Sequence, residues 1–243
     1  MKLYQELKAD MDRLGIKIGR DKFYRVMRMN NLLVPKLKRF HITTDSKHRF
    51  FKYKNLVKDK VPSRPEQLWV SDITYIKTQN GHSYLALVTV AYSKQIMGYK
   101  LASHMKTSLC IDALRIAIKN RKYKNQKLIH HSDRGIQYCN PRYTSFAEKH
   151  GILKSMTEKY DPFENAVAER RINRTLKYEY DLKRTIKNTN LAKKMVKRAV
   201  EIYNNKRPHF SLKLNTPNFV HLNRNVDYHS YKKIKQNLQL LTI

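Results

Sequence analysis

Short runs in which apolar and polar residues alternate occupy the middle of the chain, and this pattern is typical of β-strands with one buried face. Residues 68–77 form one such run, rich in β-branched and aromatic side chains, and residues 82–91 form the next. Between them stands Asn80-Gly81, a strong signal for a hairpin turn. Three further strands are predicted at residues 95–103, 127–131 and 152–155.

Apolar residues at helical spacing separate and follow these strands. They predict a helix over residues 107–120, with Thr107 or Ser108 as its N-cap. Later helices are predicted at residues 141–150, 163–184 and 190–205. Three meandering strands followed by strands that alternate with helices predict an α/β fold, in which helices cover both faces of a mixed five-stranded sheet.

Two shorter helical patterns open the chain. The first ends at Gly15, and the second is predicted over residues 21–30. Two short helices around a glycine-bearing turn, the second of them basic, predict a helix-turn-helix-like DNA-binding module over residues 1–34. The alternative is an ordinary helical hairpin with a solvated basic face. In the second helix, Phe23, Val26 and Met27 are expected to face inward, and Arg25 and Arg28 to face DNA.

Three further regions follow this module. Residues 35–61 are dense in Lys and Arg and have little periodicity, so they predict an extended basic linker that lies along a duplex. The strands and helices within residues 62–222 are predicted to form a core domain. Residues 223–243 are assigned to a C-terminal tail.

Basic residues far outnumber acidic ones, with 51 Lys and Arg against 19 Asp and Glu, which gives a net charge of +32. The excess extends over the whole chain and is not confined to a tail. A charge of this size on folded segments is best explained by a long polyanion, so nucleic acid is the expected partner. A membrane surface is disfavoured, because no basic cluster adjoins a strongly amphipathic apolar helix.

Cysteine usage and hydropathy indicate the compartment. Cys110 and Cys139 have no paired spacing, so the sequence indicates neither a disulfide framework nor a zinc ribbon. No signal-peptide pattern and no run of about 18 apolar residues is present. We therefore expect a soluble cytoplasmic protein with reduced thiols.

Three carboxylates occupy informative positions in this basic chain. Asp72 lies in an apolar run, Asp133 lies two residues after a predicted strand, and Glu169 lies in a basic helical segment, with 35 residues between it and Asp133. A buried aspartate is costly unless a cation or hydrogen bonds compensate its charge. Because hard divalent cations prefer carboxylate oxygens, the three acids predict a site for Mg²⁺ or Mn²⁺. Two such ions would assist the in-line displacement of a phosphodiester.

Each acid also has an ordinary structural explanation. Asp72 could be a hydrogen-bonded strand-end residue, Asp133 could cap a turn with Gly135, and Glu169 could be a surface acid. His131 could order a metal ligand or bind phosphate, although a lone histidine is more often structural. Three other acids compete for the third ligand position, namely Glu158, Asp161 and Glu164.

Helical spacing places Glu169 on one stripe with Asn173, while Arg170, Arg174 and Lys177 form the neighbouring stripe. The acid would then reach the metals while the basic residues meet phosphate. Carboxylates on the first strand, beside the fourth strand and on a late helix are what a ribonuclease-H-like fold requires.

Four motifs in order give the chain a family resemblance. They read WVSDITY at residues 69–75, HSDRGIQY at residues 131–138, NAVAE at residues 165–169, and YNNKRPHFSL at residues 203–212. Together they resemble the transposases of bacterial insertion sequences whose catalytic core is related to retroviral integrase. The likeness covers nearly the whole chain.

This resemblance implies a function and a set of site residues. Asp72, Asp133 and Glu169 would form a metal-binding catalytic triad that cuts element ends and joins the freed 3′ hydroxyl to target DNA. Lys177 would contact DNA, and Asn165, one turn before Glu169, would support the site. Double-stranded DNA and further copies of the chain are the implied partners, and the location would be the bacterial nucleoid.

The resemblance also implies a fused segment, and the sequence leaves two alternative functions to be tested. An upstream reading frame often supplies end-recognition helices in this family, so a fused partner segment is also implied. A non-catalytic DNA-binding remnant that competes for element ends is the alternative function. A general ribonuclease-H-like nuclease is a third, but the closing motif over residues 203–217 argues against it.

Overall fold

A five-stranded mixed sheet with strand order β3-β2-β1-β4-β5 forms the centre of the molecule. The structure is a computed structural model that describes residues 2–33, 48–58, 60–158 and 169–223, with the backbone only for Lys2 and for residues 169–171. The strands are β1 (Leu68–Thr78), β2 (Gly81–Val90), β3 (Ile96–Ala102), β4 (Leu128–Ser132) and β5 (Ile152–Met156). The helices are α1 (Lys2–Arg13), α2 (Arg20–Met29), α3 (Thr107–Lys119), α4 (Ile136–Cys139), α5 (Pro141–Lys149), α6 (Glu169–Glu179), α7 (Thr189–Asn205) and α8 (Pro217–Leu222), with a 3₁₀ turn at Phe210–Leu212.

The pairing of the strands follows from their connections. β1, β2 and β3 are antiparallel neighbours joined by short turns, and β4 and β5 add to the other side of β1 in parallel. The predicted hairpin is present, since Thr78 pairs with Gly81, whose φ of +106° is readily available only to glycine. The expected α/β fold with a mixed five-stranded sheet is confirmed.

Two apolar layers cover the sheet, one on each face. Along β2, Leu85 and Leu87 face α6 and α7, whereas Ala86 and Val88 face α3 and α5. Successive side chains of a strand point to opposite faces, so a continuous apolar run is expected for a strand buried on both sides. Trp69 of β1 is fully buried in the layer under α3.

One glycine sets the distance between β3 and α3. A Cβ atom added at Gly98 would lie 2.2 Å from the carbonyl oxygen of Ala113 and 2.6 Å from the backbone nitrogen of Ala117. Both atoms belong to the α3 backbone, which has no rotamer to change. Only a residue without a side chain permits this approach of helix to strand.

A buried carboxylate fastens α8 to the sheet domain. Glu66, which is fully buried just before β1, accepts hydrogen bonds from the backbone nitrogens of Lys122 and Tyr123 and lies 3.2 Å from Nε2 of His221 on α8. Burial opposes ionisation of Glu66, but the bonds from these three partners outweigh it, so its pKa is lowered. Helix α8 is thereby connected to the segment before β1 and to the loop between α3 and β4.

Several sequence expectations need correction. Lys106, not Thr107 or Ser108, is the N-cap residue of α3, and its side chain makes no capping hydrogen bond. The helix predicted over residues 163–184 ends at Glu179, because the chain turns there and buries Leu182 and Ile186 in the layer under α7. The first part of that predicted helix lies outside the described residues.

The N-terminal module consists of α1 and α2 packed through aromatic side chains. The ring centres of Tyr4 and Phe23 are 5.5 Å apart, and Phe23 is buried. Val26 was expected to face inward, but 43% of it is exposed, whereas α1 packs against Phe23. Arg25 and Arg28 are exposed as expected, and their contact with DNA stays a prediction.

The second half of the predicted basic linker lies against the core. The backbone nitrogen of Leu56 donates to Ser155 Oγ at 2.9 Å, and His48 Nε2 is 2.8 Å from the carbonyl oxygen of Arg134. The first half, residues 35–47, lies outside the described residues. Within the parts of the chain that the structure describes, no helix combines the length and apolarity needed to cross a bilayer.

Candidate active site

The parallel pairing of β1 with β4 brings two predicted site residues together. Val70 is the register partner of His131. Two residues further along the chain lie Asp72, within β1, and Asp133, directly after the end of β4. Parallel strands advance in the same direction, so residues at equal distances beyond a pair lie beside each other. The first two members of the predicted triad therefore meet at one end of the sheet, where both line the same cavity.

Asp72 carries a strongly perturbed carboxyl group. Its Oδ1 atom accepts a hydrogen bond from the Ile73 backbone nitrogen at 2.8 Å, and its Oδ2 atom accepts one from Asn173 Nδ2 at 2.5 Å. Its pKa is raised from 3.8 to about 7, first by burial and then by the negative charge of Asp133, while the two hydrogen bonds and Lys177 act against this rise. Two half-buried carboxylates that face one cavity are electrostatically unfavourable without a cation.

Asp133 stands at the junction of β4 and α4. Its Oδ1 atom accepts a hydrogen bond from the backbone nitrogen of Gly135 at 2.9 Å, which forms a short turn before α4. Asp133 therefore caps a turn with Gly135, as the structural explanation of its position predicted. The same bond fixes the orientation of the carboxylate beside Asp72.

Helix α6 brings the third predicted ligand to the same end of the sheet. Glu169 is the first residue of α6, one turn before Asn173, which is bonded to Asp72. The side chain of Glu169 lies outside the described residues, so its membership of the triad stays a prediction. Within residues that the structure does describe, no three His, Cys, Asp or Glu side chains form a metal-binding group. The competing Glu158 is exposed, and Asp161 and Glu164 are outside the described residues.

Lys177 lies one turn beyond Asn173 and is half-buried. Its Nζ atom lies 4.2 Å from the centre of the Tyr75 ring, a cation–π contact. Burial lowers the pKa of Lys177, and the nearby charge of Asp72 acts against that shift. This lysine is therefore positioned at the aspartates and not on an open basic stripe.

The other predicted DNA contacts are placed only in part. Arg174 is exposed on α6. Asn165 and the side chain of Arg170 lie outside the described residues. Contact of Arg170, Arg174 and Asn165 with DNA stays a prediction.

The two histidines of β4 are both buried. His131, the predicted supporting residue, is hydrogen-bonded through Nδ1 to Ser155 Oγ at 2.9 Å, which links β4 to β5. His130 lies 2.7 Å from Ser71 Oγ and 3.1 Å from the Tyr143 hydroxyl. Burial lowers the pKa of His130 to about 3, so this ring is neutral.

Sequence reasoning did not assign Asn173 or Tyr75 to the site. Asn173 had been placed on the Glu169 stripe, and that helical spacing was the available signal for it. Tyr75 carried no such signal, because it reads as an ordinary aromatic strand residue. Its role depends on Lys177, about a hundred residues away in the chain.

Comparisons with known proteins agree with this architecture. Two models described as integrase core domain match residues 62–162 and 150–217. An insertion element IS600 uncharacterized 31 kDa protein from Shigella sonnei is 33% identical over 210 residues, which cover 86% of this chain and 76% of that protein. A putative transposase for IS986/IS6110 from Mycobacterium tuberculosis is 39% identical over 112 residues, which cover 44% of this chain and 40% of that protein.

The chain belongs to the insertion-sequence transposases with an integrase core. The resemblance seen in the four motifs is thereby confirmed. The match to the IS600 protein extends over most of both chains, whereas this transposase chain spans only about 40% of the length of the IS986/IS6110 transposase.

Solved structures share the fold of this transposase. The simian T-cell lymphotropic virus intasome in complex with the PP2A regulatory subunit B56 gamma has a chain that aligns with a TM-score of 0.57 at 17% identity, over 77% of this chain and 64% of that chain. The HTLV-2 integrase catalytic core domain in complex with magnesium, in its trimeric form, aligns with a TM-score of 0.50 at 17% identity, over 65% of this chain and 97% of that chain. The ribonuclease-H-like fold expected from the order of the elements is confirmed.

Proposed function

We propose that this transposase cuts the ends of an insertion sequence and joins the freed 3′ hydroxyl to target DNA, with divalent metal ions at Asp72, Asp133 and Glu169. The observation that carries the proposal is that Asp72 and Asp133 each lie two residues beyond the parallel pair Val70–His131 and line one cavity. The net charge of +32 supports a DNA substrate, because phosphate neutralisation is its most direct use.

The two aspartates fit a hard divalent cation. They offer carboxylate oxygens, and burial together with the charge of Asp133 raises the pKa of Asp72, so a cation at this position would stabilise the ionised carboxylates. The related HTLV-2 core was solved with magnesium, so Mg²⁺, with Mn²⁺ as a substitute, is the proposed ion. When bound, such ions polarise the phosphodiester and stabilise the charge that develops on the attacking and leaving oxygens.

The chain's own residues orient this chemistry. Asn173 holds one oxygen of Asp72, and the Gly135 backbone nitrogen holds one oxygen of Asp133, so neither carboxylate rotates freely. Lys177, held over Tyr75, adds a positive charge close to Asp72, where a phosphate would lie. We propose that α6 contributes Glu169 from the same side.

The decisive test is Asp133→Asn in a strand-transfer assay with Mg²⁺. The substrate is a duplex with the inverted repeats that flank the coding sequence. We expect a loss of about a thousandfold or more, because one ligand charge is removed while the side-chain shape is kept. Asp112→Asn is the matched control, since Asp112 is a partly exposed acid on α3 that pairs with Arg115.

Three outcomes of that assay would contradict the proposal. Equal activity of the wild type and Asp133→Asn would remove Asp133 from the chemistry. A specific footprint on element ends without any Mg²⁺-dependent cleavage by the wild type would indicate a non-catalytic DNA-binding protein. Hydrolysis without joining would indicate a nuclease.

Lys177→Ala is expected to weaken DNA binding and to reduce the slope of log affinity against log salt by about one unit, since one phosphate contact is lost. Fluorescence anisotropy at several salt concentrations measures both quantities. The matched control is Lys119→Ala, because Lys119 is exposed on α3, which covers the other face of the sheet. An unchanged slope in Lys177→Ala would place this lysine away from phosphate.

The assembly is also a proposal. The structural relative from simian T-cell lymphotropic virus is an intasome, and we propose that this transposase likewise works as a homo-oligomer on two DNA ends, with an upstream-frame segment as a possible fused partner. The boundaries at residues 34, 61 and 222, and a nucleoid-associated location, stay predictions.

A further inference from the structure

A cavity of about 410 Å³ opens beside the two aspartates. Its volume lies within the range of pockets that bind small organic groups. Asp72 and Asp133 form part of its wall, and most of the remaining wall is aromatic or aliphatic. These other residues include Tyr75, Tyr84, Tyr138, Met105 and Ile136.

Tyr75 is the most accessible tyrosine of this wall, since 47% of the residue is exposed. Two neighbours hold its ring in place. Lys177 Nζ lies 4.2 Å from the ring centre, and the His82 ring meets it edge-on with the ring centres 5.2 Å apart. A ring that is both held and accessible is a platform on which another flat ring can stack.

The wall also has polar groups that can meet the edge of a flat ligand. Gln137 Nε2 donates a hydrogen bond to the carbonyl oxygen of Met105 at 3.1 Å, which fixes the orientation of the amide. The amide oxygen of Gln137 can then accept a hydrogen bond from a ligand. Thr74 adds a hydroxyl group. Apolar faces with a few polar groups at the edge match a heterocyclic base better than a phosphate, which the two carboxylates would repel in the absence of cations.

We propose that this cavity receives one nucleobase rotated out of the DNA stack, next to the phosphate held at Asp72 and Asp133. The inference rests on the proposed function, because the backbone would be held at the aspartates only through the proposed divalent ions. A base attached to the neighbouring nucleotide reaches the cavity directly, since the aspartates belong to its wall. Stacking on Tyr75 then offsets the cost of removing the base from its neighbours.

The test combines a protein change with a DNA change. Tyr75→Leu removes the stacking face, and a series of duplexes each lacks one base near the cut. Affinities are measured by fluorescence anisotropy with Ca²⁺ in place of Mg²⁺. We expect Tyr75→Leu to weaken binding of the intact end roughly tenfold, the size of one base–aromatic stack, and to have no effect on the duplex that lacks the base received by the cavity.

Tyr75→Phe is the matched control, because it keeps the ring and the contact with Lys177, and it should bind like the wild type. If Tyr75→Leu weakens the intact duplex and every abasic duplex equally, no base enters the cavity and the proposal is overturned. That result together with normal strand transfer would leave the proposed function intact. If Tyr75→Leu has no effect on one abasic duplex but the wild type shows no strand transfer, the base-binding cavity is supported and the catalytic proposal is overturned.

Discussion

Asp72→Asn is expected to abolish metal-dependent strand transfer and, at the same time, to stabilise the metal-free protein above neutral pH. The loss of activity should be about a thousandfold or more, because one metal-binding charge disappears. The stabilisation has the opposite sign because burial and the charge of Asp133 make ionised Asp72 unfavourable in the folded chain. Asparagine keeps an oxygen that can accept the hydrogen bond from Asn173.

The pH dependence follows from the pKa of Asp72, which is about 7 in the folded protein and normally 3.8. The folded state therefore holds this proton more tightly than the unfolded state, and the wild type loses stability relative to Asp72→Asn as the pH rises from about 4 to about 7. Above pH 7 the full difference should be present, on the order of 2–3 kcal/mol, because partial exposure of Asp72 reduces the effect.

Thermal unfolding in a chelator at several pH values measures this difference. We expect the Tm of Asp72→Asn to exceed that of the wild type by about 5–10 °C near pH 8, and the two to converge near pH 4. Added Mg²⁺ should raise the Tm of the wild type more than that of the variant, because the ion binds the folded site. An Asp72→Asn protein that melts below the wild type near pH 8 would contradict the prediction, and Asp112→Asn should show no pH-dependent gain.

Gly98→Ala is expected to lower the free energy of unfolding by about 3 kcal/mol or more. The added methyl group would overlap the carbonyl oxygen of Ala113 and the nitrogen of Ala117, both in the backbone of α3. Since neither atom can rotate away, β3 and α3 must separate. The apolar layer that contains Leu109 and Leu114 would then lose part of its packing.

Denaturant unfolding of Gly98→Ala checks this expectation through the transition midpoint. Gly19→Ala is the matched control, because no atom lies within 4 Å of the added Cβ and the backbone φ of −74° is ordinary for alanine. The control should change stability by no more than about 1 kcal/mol, the difference between glycine and alanine at a helix N-cap. Equal midpoints for Gly98→Ala and the wild type would show that α3 can move away from β3 at little cost.

Much of the fold was accessible from the order of its elements. All five strands lie within two residues of their predicted bounds, because each has a strong apolar pattern of its own and clear turn residues at its ends. The exceptions were local features without such a pattern. The end of α6 at Glu179 depends on the burial of Leu182 and Ile186 under α7. The exposure of Val26 depends on how α1 packs on α2, where it contacts Phe23.

The sequence predicted which acids form the candidate site but not how they are arranged in space. Asp72 and Asp133 each stood out as an acid in or beside an apolar strand. Their proximity depends on the register of β1 with β4, in which Val70 meets His131. Helical spacing placed Asn173 near Glu169, but nothing local showed that its amide would bind Asp72, which lies 101 positions earlier.

The sequence by itself determined the basic character of this transposase, the types and order of its strands and longer helices, and the acids proposed to bind a divalent ion, because charge, periodicity and residue chemistry are properties of each segment. The tertiary structure alone decided that Asn173 and Lys177 reach Asp72, that Tyr75 forms the wall of a cavity beside it, and that Gly98 must carry no side chain. Each of these depends on contacts between distant segments, and such contacts are set by strand register and the packing of helices on the sheet.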